Sequence, residues 1–170
     1  EKIALDYLNT SNFEKSNEYY RSALVYLKAT DTTKLLRYRN KIALNHMTSG
    51  NLDSALIYQL KSEALISQLH DSKTVGEWFW NLAIMYKKSE QPFVAIKYFQ
   101  KAIEAFSACP GTPDCNGYRD ASKLLIASAY VDAETYDSAV VYFDQLASDS
   151  SYMNSPQAFG YYLHKSRLFE

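Results

Sequence analysis

The most reactive side chains in the sequence are two cysteines, Cys109 and Cys115, which flank the segment PGTPD. Four turn-forming residues predict a loop there: Pro110, Gly111, Pro113 and Gly117. A disulfide closing so short a loop would stabilise the fold by about 2 kcal/mol in the chain-entropy model and would persist only in an oxidising compartment. Free buried thiols are the alternative. Half of a zinc site is disfavoured, because no Cys-x-x-Cys pair or nearby His completes a ligand set.

Other side chains that could carry catalysis are scattered along the chain. There is no Gly-rich phosphate loop, no Gly-x-Ser-x-Gly elbow and no His-Glu-x-x-His helix. His46, His70 and His164 lie far apart in sequence, and we interpret them as core or partly exposed residues. Asp132 and Glu134 lie near a predicted hairpin turn, where solvated carboxylates are expected. The sequence therefore predicts no catalytic residue, no metal and no cofactor.

Composition indicates that helices position these residues. Of 170 residues, 47% are hydrophobic, enough for one or two domains or one elongated array. The 5 Gly and 4 Pro, against 15 Tyr and 8 Phe, predict an all-α fold of long helices. A net charge of -1 and a pI near 6.4 argue against nucleic-acid binding. No apolar run approaches the roughly 20 residues of a membrane-spanning helix, so we expect no membrane insertion by this segment.

Four segments each contain a turn followed by an amphipathic helix. They are NFEKSNEYYRSAL (12 to 24), NLDSALIYQLKSEAL (51 to 65), QPFVAIKYFQKAI (91 to 103) and TYDSAVVYFDQLA (135 to 147). A small residue occupies the same place in all four: Ser16, Ala55, Ala95 and Ala139. Three of the segments have an aromatic residue four positions later: Tyr20, Phe99 and Phe143.

A different helix precedes each of these segments. The four are IALDYL (3 to 8), IALNHM (42 to 47), LAIMYK (82 to 87) and IASAYV (126 to 131). In each, a large apolar residue is followed by Ala and then, three positions on, by a ring: Tyr7, His46, Tyr86 and Tyr130. The small residue lets helices approach closely and the ring fills the adjacent space. Two helix types are therefore predicted to alternate four times.

This alternation resembles the tetratricopeptide repeat. The third copy matches the family signature at seven positions: Phe79, Leu82, Ala83, Tyr86, Ala95, Phe99 and Ala102. The resemblance implies a right-handed superhelix, or solenoid, of antiparallel helix hairpins that forms a single domain over residues 1 to 170. The hairpins are expected at about 1–29, 33–69, 74–107 and 117–148, followed by a partial fifth repeat at 155–170.

The sequence departs from the family pattern in two ways. The small residue recurs after 39, 40 and 44 residues rather than the family's 34. The extra residues follow the second helices, where Asp31 and Asp71 predict helix N-caps. The second copy carries His46 where the family prefers Tyr and Gln59 where it prefers an aromatic residue. The longer period is similar to that of arrays in bacterial sensory and regulatory proteins.

In the family, the first helices line a concave groove. The expected groove residues are Arg37, Asn40, Leu44 and Met47 in the second copy, Glu77, Trp80, Ile84, Lys87 and Lys88 in the third, and Leu124, Ser128, Val131 and Asp132 in the fourth. Within GEWFWNL, Phe79 is expected in the hairpin core and Trp78 toward the preceding repeat. Trp80 has two interpretations, a groove anchor or a core residue, because aromatic residues at helical spacing usually pack.

A groove that mixes Trp, Met, aliphatic residues and both charge signs favours an extended peptide or a partner helix. We therefore expect a non-catalytic scaffold or sensor module that binds a protein or peptide, within a longer bacterial regulatory protein. An accessory domain for a carbohydrate or other small ligand is the alternative, and an enzyme with an unrecognised site is a further one. A disulfide favours an extracytoplasmic, periplasmic location, and free thiols favour the cytoplasm.

Both ends of the sequence interrupt the repeat pattern. The chain starts without Met and within a first helix, so we expect a trimmed or processed parent protein. Near the other end, Ser155 is the expected N-cap and Pro156 the first residue of a fifth first helix. Phe159, Gly160 and Leu163 would give this helix an apolar face. We expect either that the array continues past Glu170 or that the protein self-associates through this C-terminal helix.

Overall fold

The computed structural model describes residues 1–28, 30–109 and 112–169. The chain is 78% helix, and the described residues contain no strand, which confirms the all-α prediction. The helices are α1 (Lys2–Asn9), α2 (Phe13–Val25), α3 (Thr32–Thr48), α4 (Leu52–Leu60), α5 (Glu63–Ile66), α6 (Ser72–Lys88), α7 (Pro92–Ser107), α8 (Pro113–Asp132), α9 (Tyr136–Ala147), α10 (Ser150–Met153) and α11 (Ala158–Ser166). Four residues lie outside the described ranges: Ala29 and Glu170, where the first and fifth repeats are expected to end, and Pro110 and Gly111, which the sequence predicts in a loop.

The chain divides into two compact units, Glu1–Leu69 and His70–Glu170. In the first unit, α1 packs against α2, α2 against α3, and α3 against α4. In the second unit, α6 packs against α7, α7 against α8, and α8 against α9, while α11 packs against α8. Successive helices thus form packed pairs within each unit. One continuous superhelix over residues 1 to 170 stays a prediction.

The same tight turn connects the two helices of every pair. It contains a residue with positive φ, which lies five positions before the repeated small residue: Ser11 at 57°, Gly50 at 81°, Glu90 at 57° and Glu134 at 56°. The next backbone N–H donates to the carbonyl of the ring residue on the first helix, as from Asn12 to Tyr7 at 2.9 Å and from Gln91 to Tyr86 at 3.0 Å. A left-handed residue that closes a helix in this way is a common C-terminal cap.

The repeated small residues are the points of closest packing. All eight are fully buried: Ala4, Ser16, Ala43, Ala55, Ala83, Ala95, Ala127 and Ala139. The residues four positions after the second small residue are also almost completely buried: Tyr20, Gln59, Phe99 and Phe143. In the second unit, Ala83 and Ala95 belong to one core cluster, and Ala127 and Ala139 to another. The local geometry therefore repeats with the spacing seen in the sequence.

A ring pair on each hairpin was not expected from the sequence. The ring of the first helix lies against a Tyr on the second helix, three positions after the small residue. The pairs are Tyr7–Tyr19, His46–Tyr58, Tyr86–Tyr98 and Tyr130–Tyr142, with centroids 5.5, 5.6, 5.4 and 5.9 Å apart. Such pairs contribute beyond their buried area. His46 thus packs as a ring in the second copy, as expected.

The first copy uses Ser16 where the other three use Ala, and buried hydrogen bonds explain why this polar residue is tolerated. The Ser16 hydroxyl donates to the Ala4 carbonyl at 2.9 Å, and Asn45 Nδ2 donates to Ser16 Oγ at 3.1 Å. Asn45 Nδ2 also lies 2.8 Å from Asn17 Oδ1. A buried hydroxyl costs little when it is hydrogen-bonded in this way.

Two predicted helix starts were wrong. The fourth hairpin begins at Pro113 rather than at residue 117, because Thr112 caps α8 and Pro is tolerated at the first helical position. At the other end, Ser155 and Pro156 do not start a helix, since α11 begins at Ala158. The Ser155 hydroxyl instead donates to the Tyr152 carbonyl at 2.6 Å, at the end of α10.

Gly76 marks a close approach of α6 to α7, and replacing it should destabilise the second unit. A Cβ at this position would lie 2.7 Å from a ring carbon of Phe106, and the Phe106 ring also stacks on Tyr118, with centroids 5.0 Å apart. Gly76→Ala should lower the free energy of unfolding by about 1 to 2 kcal/mol, because overpacking exceeds the gain in helix propensity. Urea unfolding measures this change.

Gly117→Ala is the matched control. Gly117 also lies within a helix, but a Cβ there would meet no atom within 4 Å. The same substitution should therefore stabilise the protein by about 0.5 to 1 kcal/mol through helix propensity alone. Equal effects at the two positions would show that Phe106 does not restrict Gly76.

Candidate functional site

Cys109 and Cys115 form a disulfide, with their Cα atoms 6.3 Å apart. The bond links the segment after α7 to the first turn of α8. Cys115 is buried in a cluster with Ala102 and Phe106, and the partly buried rings of Phe79, Trp80 and Tyr118 pack against that cluster. The disulfide therefore connects the segment after α7 to α8, next to a group of aromatic side chains.

Two of these rings, Trp80 and Tyr118, line a cavity of about 450 Å³, which we call the aromatic cleft. Its principal lining residues are Lys73, Glu77 and Trp80 from α6, and Asp114, Gly117 and Tyr118 from α8. Trp80 and Tyr118 meet edge to face, with centroids 5.3 Å apart and an interplanar angle of 74°. Tyr118 stacks in turn on Phe106. Two predicted groove residues, Glu77 and Trp80, thus meet at this cleft.

Charged side chains line the aromatic cleft beside its two rings. Lys73 Nζ lies 2.8 Å from Asp114 Oδ2, so this ion pair spans α6 and α8. Its hydrogen bond to Asp114, together with the nearby charge of Glu77, raises the pKa of Lys73. Burial, and then the charge of Glu77, raises the pKa of the Tyr118 phenol, which is therefore protonated at neutral pH. Glu77 is a second carboxylate in the lining.

A second cavity, of about 630 Å³, lies further along α6, and we call it the charged cleft. Its principal lining residues are Lys87, Glu90, Asp132, Glu134, Tyr136 and Arg167. Asp132 lies between two cations: its Oδ2 is 2.5 Å from Lys87 Nζ, and its Oδ1 is 2.7 Å from Arg167 Nη2. These ion pairs connect the C-terminal ends of α6, α8 and α11.

The cations control the titration of Asp132. Burial alone would raise the pKa of this carboxyl, but hydrogen bonds from Lys87 and Arg167 outweigh burial and hold the pKa below its ordinary value. His164 lies in the same neighbourhood. Burial lowers the pKa of its imidazole, and the positive charges of Lys87 and Arg167 lower it further, against the opposing effect of Asp132. His164 is therefore neutral at neutral pH and adds no charge to the cleft.

The lowered pKa of Asp132 makes its ion pairs sensitive to acid. Their stabilisation is complete above the ordinary carboxyl pKa of about 4 and is lost as the pH falls through the folded-state value. Asp132→Asn should destabilise the protein by up to about 1 kcal/mol at pH 7, because the pairs are partly exposed. The difference from wild type should shrink as the pH falls below about 4.

Urea unfolding of both proteins between pH 7 and pH 3 measures this effect. The other carboxylates contribute equally to both proteins, so the difference isolates Asp132. Asp6→Asn replaces an exposed carboxylate on α1 and controls for the substitution itself. A difference between wild type and Asp132→Asn that stays constant over the whole pH range would contradict the role of the ion pairs.

The predicted groove residues of the second copy all lie on α3, in the first unit. Arg37 is exposed and its Nη2 pairs with the Glu1 carboxylate at 2.8 Å. Asn40, Leu44 and Met47 are partly exposed. None of the four lines a described cavity of that unit.

The predicted groove residues of the second unit fall into three groups: those that line a cleft, those that line neither cleft, and those that are buried. The residues that line the two clefts are Glu77, Trp80, Lys87, Val131 and Asp132. Ile84 and Leu124 are half-buried and pack against core clusters, while Lys88 is exposed and lines neither cleft. Ser128 is a correction, because it is completely inaccessible on α8, which packs against α7, α9 and α11. Val131 is also largely buried, yet it lines the charged cleft.

Several cleft residues were missed from the sequence. The sequence predicts Asp114 in a loop and Gly117 at its edge, because Pro113 and Gly117 indicate turns, and it includes Tyr118 in the fourth hairpin without assigning it to the groove. In the structure α8 is continuous from Pro113, so these residues continue the face that carries Leu124. Helical spacing from Leu124 back to Ala121 and Gly117 would have found them. No such spacing could have identified Arg167, because this residue reaches the charged cleft only through the place at which α11 ends.

The chain matches no protein-family model, and no curated protein is detectably similar to it. None of the described helices combines the length and the apolar character that crossing a membrane requires. Within the described ranges, His, Cys, Asp and Glu side chains do not gather in groups of three or more suited to a metal ion.

Proposed function

We propose that this chain is a non-catalytic module that binds a protein or peptide through the first helices of a tetratricopeptide-like array. The observation that carries the proposal is that α6 and α8, which are first helices of successive pairs, present two clefts containing five predicted groove residues. The repeated turns, small residues and ring pairs support the tetratricopeptide-like assignment.

The spacing of the two clefts suits an extended peptide. Trp80 in the aromatic cleft and Lys87 in the charged cleft are seven residues apart on α6, which is two helical turns or about 10 Å along the axis. An extended chain covers this distance in about three residues. The two clefts also differ in chemistry, since one is lined by aromatic rings and the other by ion pairs. A short peptide could therefore be recognised through two different side chains, one in each cleft.

Selection from a random peptide library, followed by affinity measurement, tests this proposal. Trp80→Leu removes the cleft ring and should weaken the selected peptides about tenfold or more, as truncation of an aromatic anchor does. Phe93→Leu, at an exposed ring on α7, is the matched control and should change affinity less than twofold. Failure to select any peptide, or equal losses for the two variants, would refute the proposal.

Self-association through α11 is a second candidate. Phe159, Tyr162, Leu163 and Phe169 are all exposed, with Phe159 75% accessible. Exposed apolar side chains grouped in this way are typical of interaction surfaces. Sedimentation over a range of concentrations should show a dimer that Phe159→Asp and Leu163→Asp disrupt. A monomer at all concentrations would contradict this proposal.

The disulfide supports an extracytoplasmic location, since such bonds persist in oxidising compartments. We propose on this ground that the module acts outside the cytoplasm, as a sensor or scaffold of a longer bacterial protein. Detection of reduced Cys109 and Cys115 in protein extracted from its native cells under thiol-trapping conditions would contradict that location.

A further inference from the structure

The junction between the first two hairpins is polar, whereas the equivalent junction between the third and fourth hairpins is apolar. Asn17 on α2 meets Asn45 on α3, with Asn45 Nδ2 2.8 Å from Asn17 Oδ1, and both residues are only 2% exposed. The equivalent residues of the third and fourth hairpins, Ile96 and Ala129, lie together in one apolar cluster. Buried amides are tolerated when hydrogen bonds satisfy them, so the first junction depends on its polar network.

His46 lies at the end of this network. Asn45 Nδ2 donates to Ser16 Oγ at 3.1 Å and to Asn17 Oδ1, so Asn17 presents its Nδ2 group to its other neighbour. That neighbour is His46 Nε2, 3.4 Å away. Because Asn17 Nδ2 is a donor, Nε2 of the neutral imidazole accepts, and the ring proton is on Nδ1. Ser16, Asn17 and His46 replace the Ala, the aliphatic residue and the Tyr that the other three hairpins carry.

We propose that this junction is an acid-sensitive joint, in which protonation of His46 loosens the packing of α2 against α3. The imidazolium carries an N–H on both nitrogens, so its Nε2–H would face the Asn17 Nδ2 group, and two donors do not bond each other. Nε2–H would face an acceptor only if both amides reversed and the Ser16 hydroxyl left the Ala4 carbonyl to donate to Asn45. Protonation therefore either breaks the Asn17–His46 hydrogen bond or rearranges the whole network. The joint does not depend on what the module binds.

Charged and titratable groups approach His46 from both helices that pack against α3. From α2, Arg21 Nε donates to a carbonyl of its own helix at 3.3 Å, and Glu14 lines the same cavity of about 620 Å³ as His46. From α4, Tyr58 stacks on the imidazole, with centroids 5.6 Å apart, and Lys61 Nζ lies 4.7 Å from the Tyr58 centroid. Burial, and then the positive charge of Arg21, lowers the pKa of His46.

The lowered pKa determines the direction of the effect. Between the folded-state pKa of His46 and its ordinary value of about 6.5, the unfolded chain binds more protons than the folded chain. The stabilisation by the network is therefore complete above about pH 6.5 and is lost as the pH falls through this range. Because His46 lines a cavity, protons reach the imidazole without prior unfolding of the first unit.

NMR spectroscopy of the whole chain tests the joint. At pH 7, the nitrogen spectrum of His46 should show the Nδ1–H tautomer, with Nε2 unprotonated. Between pH 7 and pH 5, the exchange protection of backbone amides in α2 and α3, corrected for intrinsic exchange, should fall about threefold or more. His46→Tyr introduces the residue of the other three hairpins and should abolish this fall. His70→Gln, at an exposed histidine of the second unit, is the matched control and should leave the fall unchanged.

A double variant, Asn17→Ile with Asn45→Ala, installs the apolar pair of the third and fourth hairpins and keeps His46. It should lose most of the acid response, which an imidazole acting through burial alone would retain. Three results would each overturn the joint: an Nε2–H tautomer at pH 7, wild-type protection that does not change with pH, or a full acid response in either variant. The first two measurements need no substitution, so they decide the matter even if a variant does not fold.

Discussion

Phe99→Ala should lower the free energy of unfolding of the second unit by about 3 to 5 kcal/mol, the largest stability effect expected from a single substitution here. Phe99 is completely buried on α7, where it packs with Ala83 from α6 and Ile126 from α8. Removing the ring leaves a cavity that three helices border. Partial collapse would require all three helices to move, so most of the cavity should remain.

Trp fluorescence during urea unfolding measures this loss. Both Trp residues, Trp78 and Trp80, lie in the second unit, so the signal reports on that unit. Phe93→Ala is the matched control, because Phe93 lies on the same helix but is 56% exposed. It should change the free energy of unfolding by less than about 1 kcal/mol. A Phe99→Ala protein as stable as Phe93→Ala would show that the repeat register on α7 is wrong.

The pairing of helices could be predicted from the sequence because it depends on residue size. Where two helices cross closely, a side chain larger than Ala does not fit, so the position is visible as an alternation of small and large residues. Ala83, Ala95, Ala127 and Ala139 are all completely buried, as this reasoning requires. The positive-φ turn residues are less visible, because Ser11, Glu90 and Glu134 are not glycines.

The first residues of helices near Pro and Gly were predicted less accurately than the pairing of the helices. Pro113 and Gly117 have the same types as loop residues, yet one lies at the first position of α8 and the other within its first turns. Pro at a helix start and Gly inside a helix are both tolerated when a cap and tertiary contacts stabilise the helix. The disulfide at Cys115 supplies such a contact. Because α8 begins earlier than predicted, the predicted groove contains none of the α8 residues that line the aromatic cleft.

The groove residues could be predicted only in part. Sequence spacing shows which residues share a helix face, but it does not show which other elements cover that face. Trp80 and Ser128 both lie on the expected face, but Ser128 is completely buried on α8, which packs against α7, α9 and α11, while Trp80 lines a cleft. The spacing of residues within a helix therefore predicts which face a side chain lies on, whereas the packing of neighbouring helices determines whether that side chain is exposed.

Ala139→Leu should destabilise the second unit by about 1 to 3 kcal/mol, because the added side chain must separate α8 from α9. Ala139 is completely buried in a cluster with Ala127 and Phe143. Ala147→Leu, at an exposed position of the same helix, is the matched control and should be close to neutral. Urea unfolding followed by Trp fluorescence compares the two variants. Equal stabilities would contradict close packing at this position.

Ala139→Ser completes the series, because the first copy already contains Ser at the equivalent position. There, the Ser16 hydroxyl donates to the carbonyl of Ala4, the small residue of the first helix. If the four hairpins are equivalent, the new hydroxyl should donate to the Ala127 carbonyl, and the cost should stay below about 1 kcal/mol. A loss as large as that of Ala139→Leu would mean that no acceptor lies within reach. The stabilities should therefore rank Ala above Ser and Ser above Leu, an order that tests the equivalence of the first and fourth hairpins.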